Sequence, residues 1–256
     1  MPLIQNPLEK PIPIMKGNSA LTSRLSSDDL PRSYYQLVSR QNGGYMENMR
    51  FSTAEPTSDG LNYGLIHYIL GLHEETSHGI FQQQRNDLPD YFIVFSANEQ
   101  QLFAFDYSVI DDFGEPAIRY LDLETDNWQT VAPNLAALLE KTNSYQMEIP
   151  LVGKMTLSEA EHSLLLAKDA AYLENLWLHL EDGFDKQWLF NWLAFFAEHA
   201  EDSFRKTTLQ ALETQLLYFR LQLPKNAEDV LDLFLSDEKE DLCMQAEILR
   251  KEYKDN

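Results

Sequence analysis

The apolar residues of this chain change their period a little past its midpoint. Up to about residue 145 they fall in short extended runs separated by turn residues, and from about residue 155 they recur three and four positions apart. The first regime predicts strands and the second predicts helices. Residues 1–20 alternate prolines with isolated aliphatics (Leu3, Ile4, Leu8, Ile12, Ile14), which suits an extended arm lying on a surface. Leu30, biased towards extended backbone by the proline after it, leads into a helix opening at Pro31. Leu30, Tyr34, Leu37 and Val38 share one face of that helix, and Asn42, Gly43 and Gly44 supply a left-handed stop. Residues 51–62 read as a loop, 65–72 as a strand and 80–84 as a short helix.

Leu88 and Pro89 introduce the continuous apolar run 91–97, suited to a central strand. Residues 98–100 then turn the chain into the alternating segment 101–107 to make a hairpin. A loop over 111–116, a strand over 117–121, an acidic turn over 122–127, an extended piece over 128–131 and a helix over 133–141 complete this part. Ile149, Pro150 and Gly153 mark a junction within 145–154. Thr156 with Glu159, or Ser158 with Glu161, forms a capping box, and the rest reads as helix. Leu173, Leu176, Trp177 and Leu180 make one stripe, and Leu209, Leu212, Leu216 and Phe219 another. Between them, 188–196 is apolar almost all round and should be the central helix. The expected fold is α+β, a mainly antiparallel sheet with flanking helices over 21–150 behind the arm, followed by an α-helical domain over 151–256.

A helix opened by Leu30-Pro31 with Tyr34 three residues on, closed by Asn42-Gly43-Gly44, and a second Leu-Pro at 88–89 before a hydrophobic strand make an ordered series. That series resembles the SUKH superfamily, which includes yeast cell-wall regulators and many bacterial immunity proteins. The resemblance covers roughly the first three-fifths of the chain and ends in the helix around 132–141. The helical region after about residue 155 and the arm before the first helix lie outside it. It implies a non-enzymatic protein that is held in the cytosol and occludes a toxin domain.

Charge narrows the partner class. The net charge is −21, carried as −11 on residues 1–150 and −10 on 151–256. No basic face for nucleic acid is visible, and an anionic membrane surface would repel the chain. Nuclease toxins grip phosphates with basic surfaces, so an acidic inhibitor would be steered onto them. Cys243 alone excludes an internal disulfide framework. No apolar run of signal-peptide length opens the chain, and the most hydrophobic stretch is about half the length that crosses a bilayer, so a cytoplasmic protein is expected.

Catalytic signatures are absent. No glycine-rich phosphate loop and no G-x-S-x-G elbow occurs, and His73-Glu74 is followed by His78 at a spacing of five, where the zinc-protease helix requires four. No metal or cofactor is expected, and protein binding is the better class. The candidate contact residues are Asp111, Asp112 and Glu115 in one acidic loop and Asp122, Glu124 and Asp126 in the next. Trp128 stands beside them, either as an aromatic anchor or as a core residue under the sheet. The competing reading is an intracellular scaffold or regulator, cell-wall or signalling, that grips partners through its helical domain and for which the acidity is incidental.

Overall fold

The computed structural model describes residues 3–58, 60–98, 100–151, 153–183 and 185–255. Met1 and Pro2 of the arm, Asp59 of the 51–62 loop, Glu99 of the 98–100 turn and Val152 of the junction lie outside them. The chain divides into two compact units, Met1–Tyr145 and Gln146–Asn256. The first is α+β with antiparallel sheets and the second is helical, as the apolar periods predict.

Within the first unit Pro31 keeps extended backbone and the helix α1 follows at Arg32–Val38. Leu30, Tyr34, Leu37 and Val38 are all buried on its inner face. Among the described residues the unit also has three antiparallel sheets. The strands are β1 (Leu3–Ile4), β2 (Gly44–Met46), β3 (Asn48–Ser52), β4 (Tyr63–Leu65), β5 (Tyr68–Ile69), β6 (Phe92–Ala97), β7 (Gln101–Ile110), β8 (Pro116–Asp122), β9 (Asn127–Ala132) and β10 (Asn143–Ser144). They pair in the orders β1-β2-β5, β10-β3-β4 and β6-β7-β8-β9. A helix α2 at Leu135–Lys141, capped by the Asn134 side chain on the Ala137 N–H, follows β9.

The strand expected over 65–72 is interrupted. β4 pairs with β3 and β5 pairs with β2, so the chain changes sheets at Ile66 and His67. The backbone there is still satisfied: the Ile66 N–H donates to the Met49 carbonyl, and the His67 carbonyl accepts from Met46. A second correction concerns Asn42, Gly43 and Gly44. The helix has already ended at Val38, and the two glycines, at φ +87° and +150°, serve close strand approach instead. A Cβ on Gly43 would stand 2.7 Å from the Gly71 nitrogen, and one on Gly44 2.8 Å from the Ile4 carbonyl. The Asn42 side chain accepts from the Leu72 N–H at 2.6 Å and donates to the Ile12 carbonyl at 3.1 Å. This turn therefore ties the arm to the sheets.

Aromatic rings fill the core on one face of the long sheet. Phe95 stacks on Phe105 at 4.4 Å, Tyr34 meets Phe105 edge-on at 5.6 Å, and Phe51 of β3 packs on Phe103 and Tyr120. Each such ring contributes about 1.5–3 kcal/mol by burial. The Tyr34 hydroxyl donates to the Leu70 carbonyl at 2.7 Å, so the buried phenol is not left unpaired.

The second unit holds α3 (Leu157–Leu165), α4 (Ala170–Leu180), α5 (Lys186–Ala197), α6 (Asp202–Tyr218), α7 (Ala227–Leu235) and α8 (Glu240–Asp255). The capping box that forms is Thr156 with Glu159, and Asp169 and Asp185 cap α4 and α5. Leu189, Phe190, Trp192, Leu193 and Phe196 are buried and α5 packs on α6 and α7, but Gln187, Asn191 and Phe195 leave it an exposed face; the central place expected for it falls to α6, which packs on α4, α5, α7 and α8. Arg205 closes the N-terminal end of α6. Its guanidinium meets Asp237 at 2.8 Å and Asp202 at 2.9 Å and donates to the His199 carbonyl.

Candidate functional site

The most exposed apolar group of the sheet unit stands on the hairpin joining β7 to β8. Asp111 begins the turn: its Oδ1 accepts from the N–H groups of Phe113 and Glu115 at 2.9 Å each, and its carbonyl accepts from Gly114 at 3.0 Å. Gly114 supplies the left-handed residue at φ +82° that a turn of this length requires. The consequence is outward display. Phe113 is 91% exposed, with Val109 at 50% and Ile110 at 53% beside it. β7 overreaches its neighbour β6 here, since the last pairing to β6 is at Asp106 and Ile110 pairs with Pro116 of β8.

Three contacts anchor the hairpin to the rest of the unit, and a fourth braces it internally. The Glu115 carboxylate accepts from the Ser33 N–H at 3.2 Å and from the Ser33 hydroxyl, so a residue 82 positions away caps the first turn of α1. Asp111 Oδ2 accepts from the Asn134 amide at 2.8 Å, which joins the turn to the cap of α2. The Tyr107 hydroxyl donates to the Asp29 carbonyl at 2.6 Å. Asp106, fully buried, accepts from Arg119 at 2.8 Å and from the Ser108 N–H at 2.9 Å. Asn134's amide first, and then the turn's own N–H groups, hold the Asp111 carboxyl below the usual carboxylate pKa against the opposing effect of burial. The arrangement is a stiff base carrying an apolar tip.

The acidic residues singled out from sequence do not form one patch. The loop 111–115 and the turn 122–127 sit at opposite ends of β8, separated by about 20 Å of strand. Asp122 is 1% exposed and serves the turn, accepting from the N–H groups of Ser58, Glu124 and Thr125. Burial opposes its ionisation, but these bonds, those of Ser58 foremost, outweigh it and keep its pKa low. Glu124 accepts from the Gln100 amide, and Asp126, in left-handed backbone at φ 52°, accepts from the Trp128 indole at 3.0 Å. Trp128 itself is half-buried against Phe92, with ring centroids 5.0 Å apart, over Leu102 and Leu121. Of the six carboxylates, Asp112 alone is exposed and without a partner among the described residues.

Phe113 is not among the contact residues that the sequence suggests, which are all carboxylates apart from Trp128. A signal for it existed: an aromatic between Asp-Asp and Gly in a hairpin turn has no neighbouring strand to bury it. Of the structural residues, Leu30 and Pro31 lead into the first helix and Tyr34 lies on its buried face, while Leu88 and Pro89 lead into β6, where Pro89's carbonyl accepts from Phe92. Among the described residues no group of three or more His, Cys, Asp or Glu side chains is placed to share a metal ion, and no helix is long and apolar enough to cross a membrane.

Comparison with known proteins adds one finding. Residues 23–141, which include the whole hairpin and its anchors on α1 and α2, match the SMI1/KNR4 family (SUKH-1). No curated protein and no solved structure matches the chain significantly.

Proposed function

We propose, from the premise that residues 23–141 form a SUKH domain, that this protein is a non-enzymatic cytoplasmic immunity protein that binds and neutralises a bacterial toxin domain. The single observation that carries the contact surface is Phe113, 91% exposed on a hairpin whose base is fixed to two helices. A rigid aromatic tip loses little conformational freedom on docking, so its burial in a partner's cleft is retained as affinity. The net charge of −21 favours a basic partner, for which it would raise the encounter rate. Asp112 beside the tip supplies a local charge for the rim of that cleft, and the anchored carboxylates Asp111 and Glu115 hold the tip in shape.

The test begins with capture of proteins from the source cells on the full chain, washed at low and at high salt. A retained protein must then be toxic when expressed alone and tolerated when co-expressed with this chain. Burial of one Phe is worth about 1.5–3 kcal/mol, so Phe113→Ala should weaken the complex by about 10- to 100-fold while leaving the fold intact. Toxicity that co-expression does not relieve would end the immunity reading. Unchanged affinity in Phe113→Ala would remove the hairpin from the interface.

A second reading, a scaffold working through its helical unit, draws on a groove of about 170 Å³ between α4, α5 and α6, lined by Trp177, Leu189 and Leu193 beside the exposed Leu178. It predicts capture that is insensitive both to salt and to Phe113→Ala.

A further inference from the structure

The N-terminal arm leaves the sheet after β1, loops outward over residues 5–14 and returns at Met15, whose N–H donates to the Leu72 carbonyl at 2.8 Å. Both ends of this loop are fixed, the first by pairing of β1 with β2 and the second by the Asn42 bond to Ile12. Beneath it lies a cleft of about 310 Å³, walled on the far side by the end of α1 and by the segment 68–78.

The lining of this cleft is at odds with the rest of the molecule. The chain as a whole carries −21, yet Lys10 and Arg40 both border the cleft, and among the described residues that line it Glu9 is the one carboxylate. Neither Lys10 nor Arg40 is in an ion pair among the described residues, although acids outnumber bases two to one along the chain. The cleft also has a flat wall, because the imidazole of His78 stacks on the Tyr68 ring at 4.2 Å. His73 closes the inner side. It is 3% exposed, its ring is wedged where a Cβ on Gly71 or Gly79 would come within 2.8 Å, and its Nδ1 has no hydrogen-bond partner among the described residues. An unpaired buried imidazole is costly, and two glycines are spent on admitting it.

We propose that this cleft is a binding site for a small phosphate ester with a planar ring, of the size of a nucleoside monophosphate. The guanidinium fork of Arg40 and the ammonium of Lys10 suit phosphate oxygens, and the Tyr68–His78 wall suits the face of a ring. The volume lies at the small end of the range for ligand sites. The site is independent of the hairpin and of the immunity reading.

Titration of the full chain with adenosine monophosphate, followed by calorimetry and by amide shifts of residues 38–44 and 68–78, tests it. Saturable binding is expected, tighter than that of adenosine or of inorganic phosphate alone. Arg40→Gln should weaken the nucleotide about tenfold or more while leaving the adenosine response unchanged. Arg40 is exposed, so its replacement should not move the melting temperature, and Phe113→Ala should bind the nucleotide as the parent does. Shifts that fail to saturate by about 10 mM would overturn the site, that being weaker than about 3 kcal/mol of binding. Equal affinity in the parent and in the Lys10→Gln, Arg40→Gln double variant would overturn it as well.

Discussion

His67 should make the sheet unit acid-sensitive from near-neutral pH, starting above the range in which ordinary carboxylates titrate. The residue sits at the step between β4 and β5, and burial pushes its imidazole pKa from the usual 6.5 down to about 4. Between those two values the unfolded chain binds a proton that the folded chain refuses, so stability rises with pH across this range. The contribution is complete above pH 6.5, falls away as the pH drops towards 4, and is constant below. At about 1.4 kcal/mol per pH unit the whole gap is worth about 3 kcal/mol, of which about 2.5 kcal/mol is lost between pH 7.5 and pH 4.5. The measurement is urea unfolding of the parent and of His67→Gln at matched pH values, read by hydrogen-exchange pulses on the amides of β6, β7 and β8. Subtracting the two cancels every other titrating group, including His73, whose pKa is also lowered by burial. The difference should shrink by about 2.5 kcal/mol as the pH falls to 4.5. A difference that does not change with pH, or a His67 ring titrating near 6.5 by NMR, would refute the reasoning.

Two further outcomes follow from the packing. Arg205→Met should cost the helical unit about 3–5 kcal/mol, because the Asp237 carboxylate, 5% exposed, loses its buried cation. Three of the four tryptophans (Trp177, Trp188 and Trp192) lie in that unit, so urea melts read by fluorescence report on it, and a loss under about 1 kcal/mol would contradict the ion pair's role. Gly43→Ala should cost about 2 kcal/mol or more, combining left-handed backbone with a clash against Gly71. Gly114→Ala, at a similar φ but facing open space, should cost only about 1 kcal/mol, and equal losses in the two would show that strand approach at Gly43 is not what the glycine serves.

The chain alone determined what is decided within a few residues. The stripe Leu30, Tyr34, Leu37, Val38 gave α1 its buried face, the alternation through Phe103 and Phe105 gave β7, and Thr156 with Glu159 gave the start of α3, since periodicity and capping are local. The ordered Leu-Pro and Asn-Gly-Gly series likewise resembled the family that residues 23–141 match. Tertiary structure decided the rest, because each remaining feature depends on residues far apart in sequence. The step at Ile66–His67 arises from two different partner strands. Gly43 and Gly44 were legible as turn residues, but Gly71 and Ile4 set what they are for. Asp122 looked like surface charge until Ser58, 64 positions away, came to its carboxylate. Glu115 became a helix cap only when Ser33 was brought beside it, and Phe113, one of fourteen phenylalanines, was left as an exposed tip because the pairing of β6 with β7 stops at Asp106. Local patterning fixes which face of an element is apolar, whereas only the assembled sheet shows which apolar side chain has been left without a neighbour.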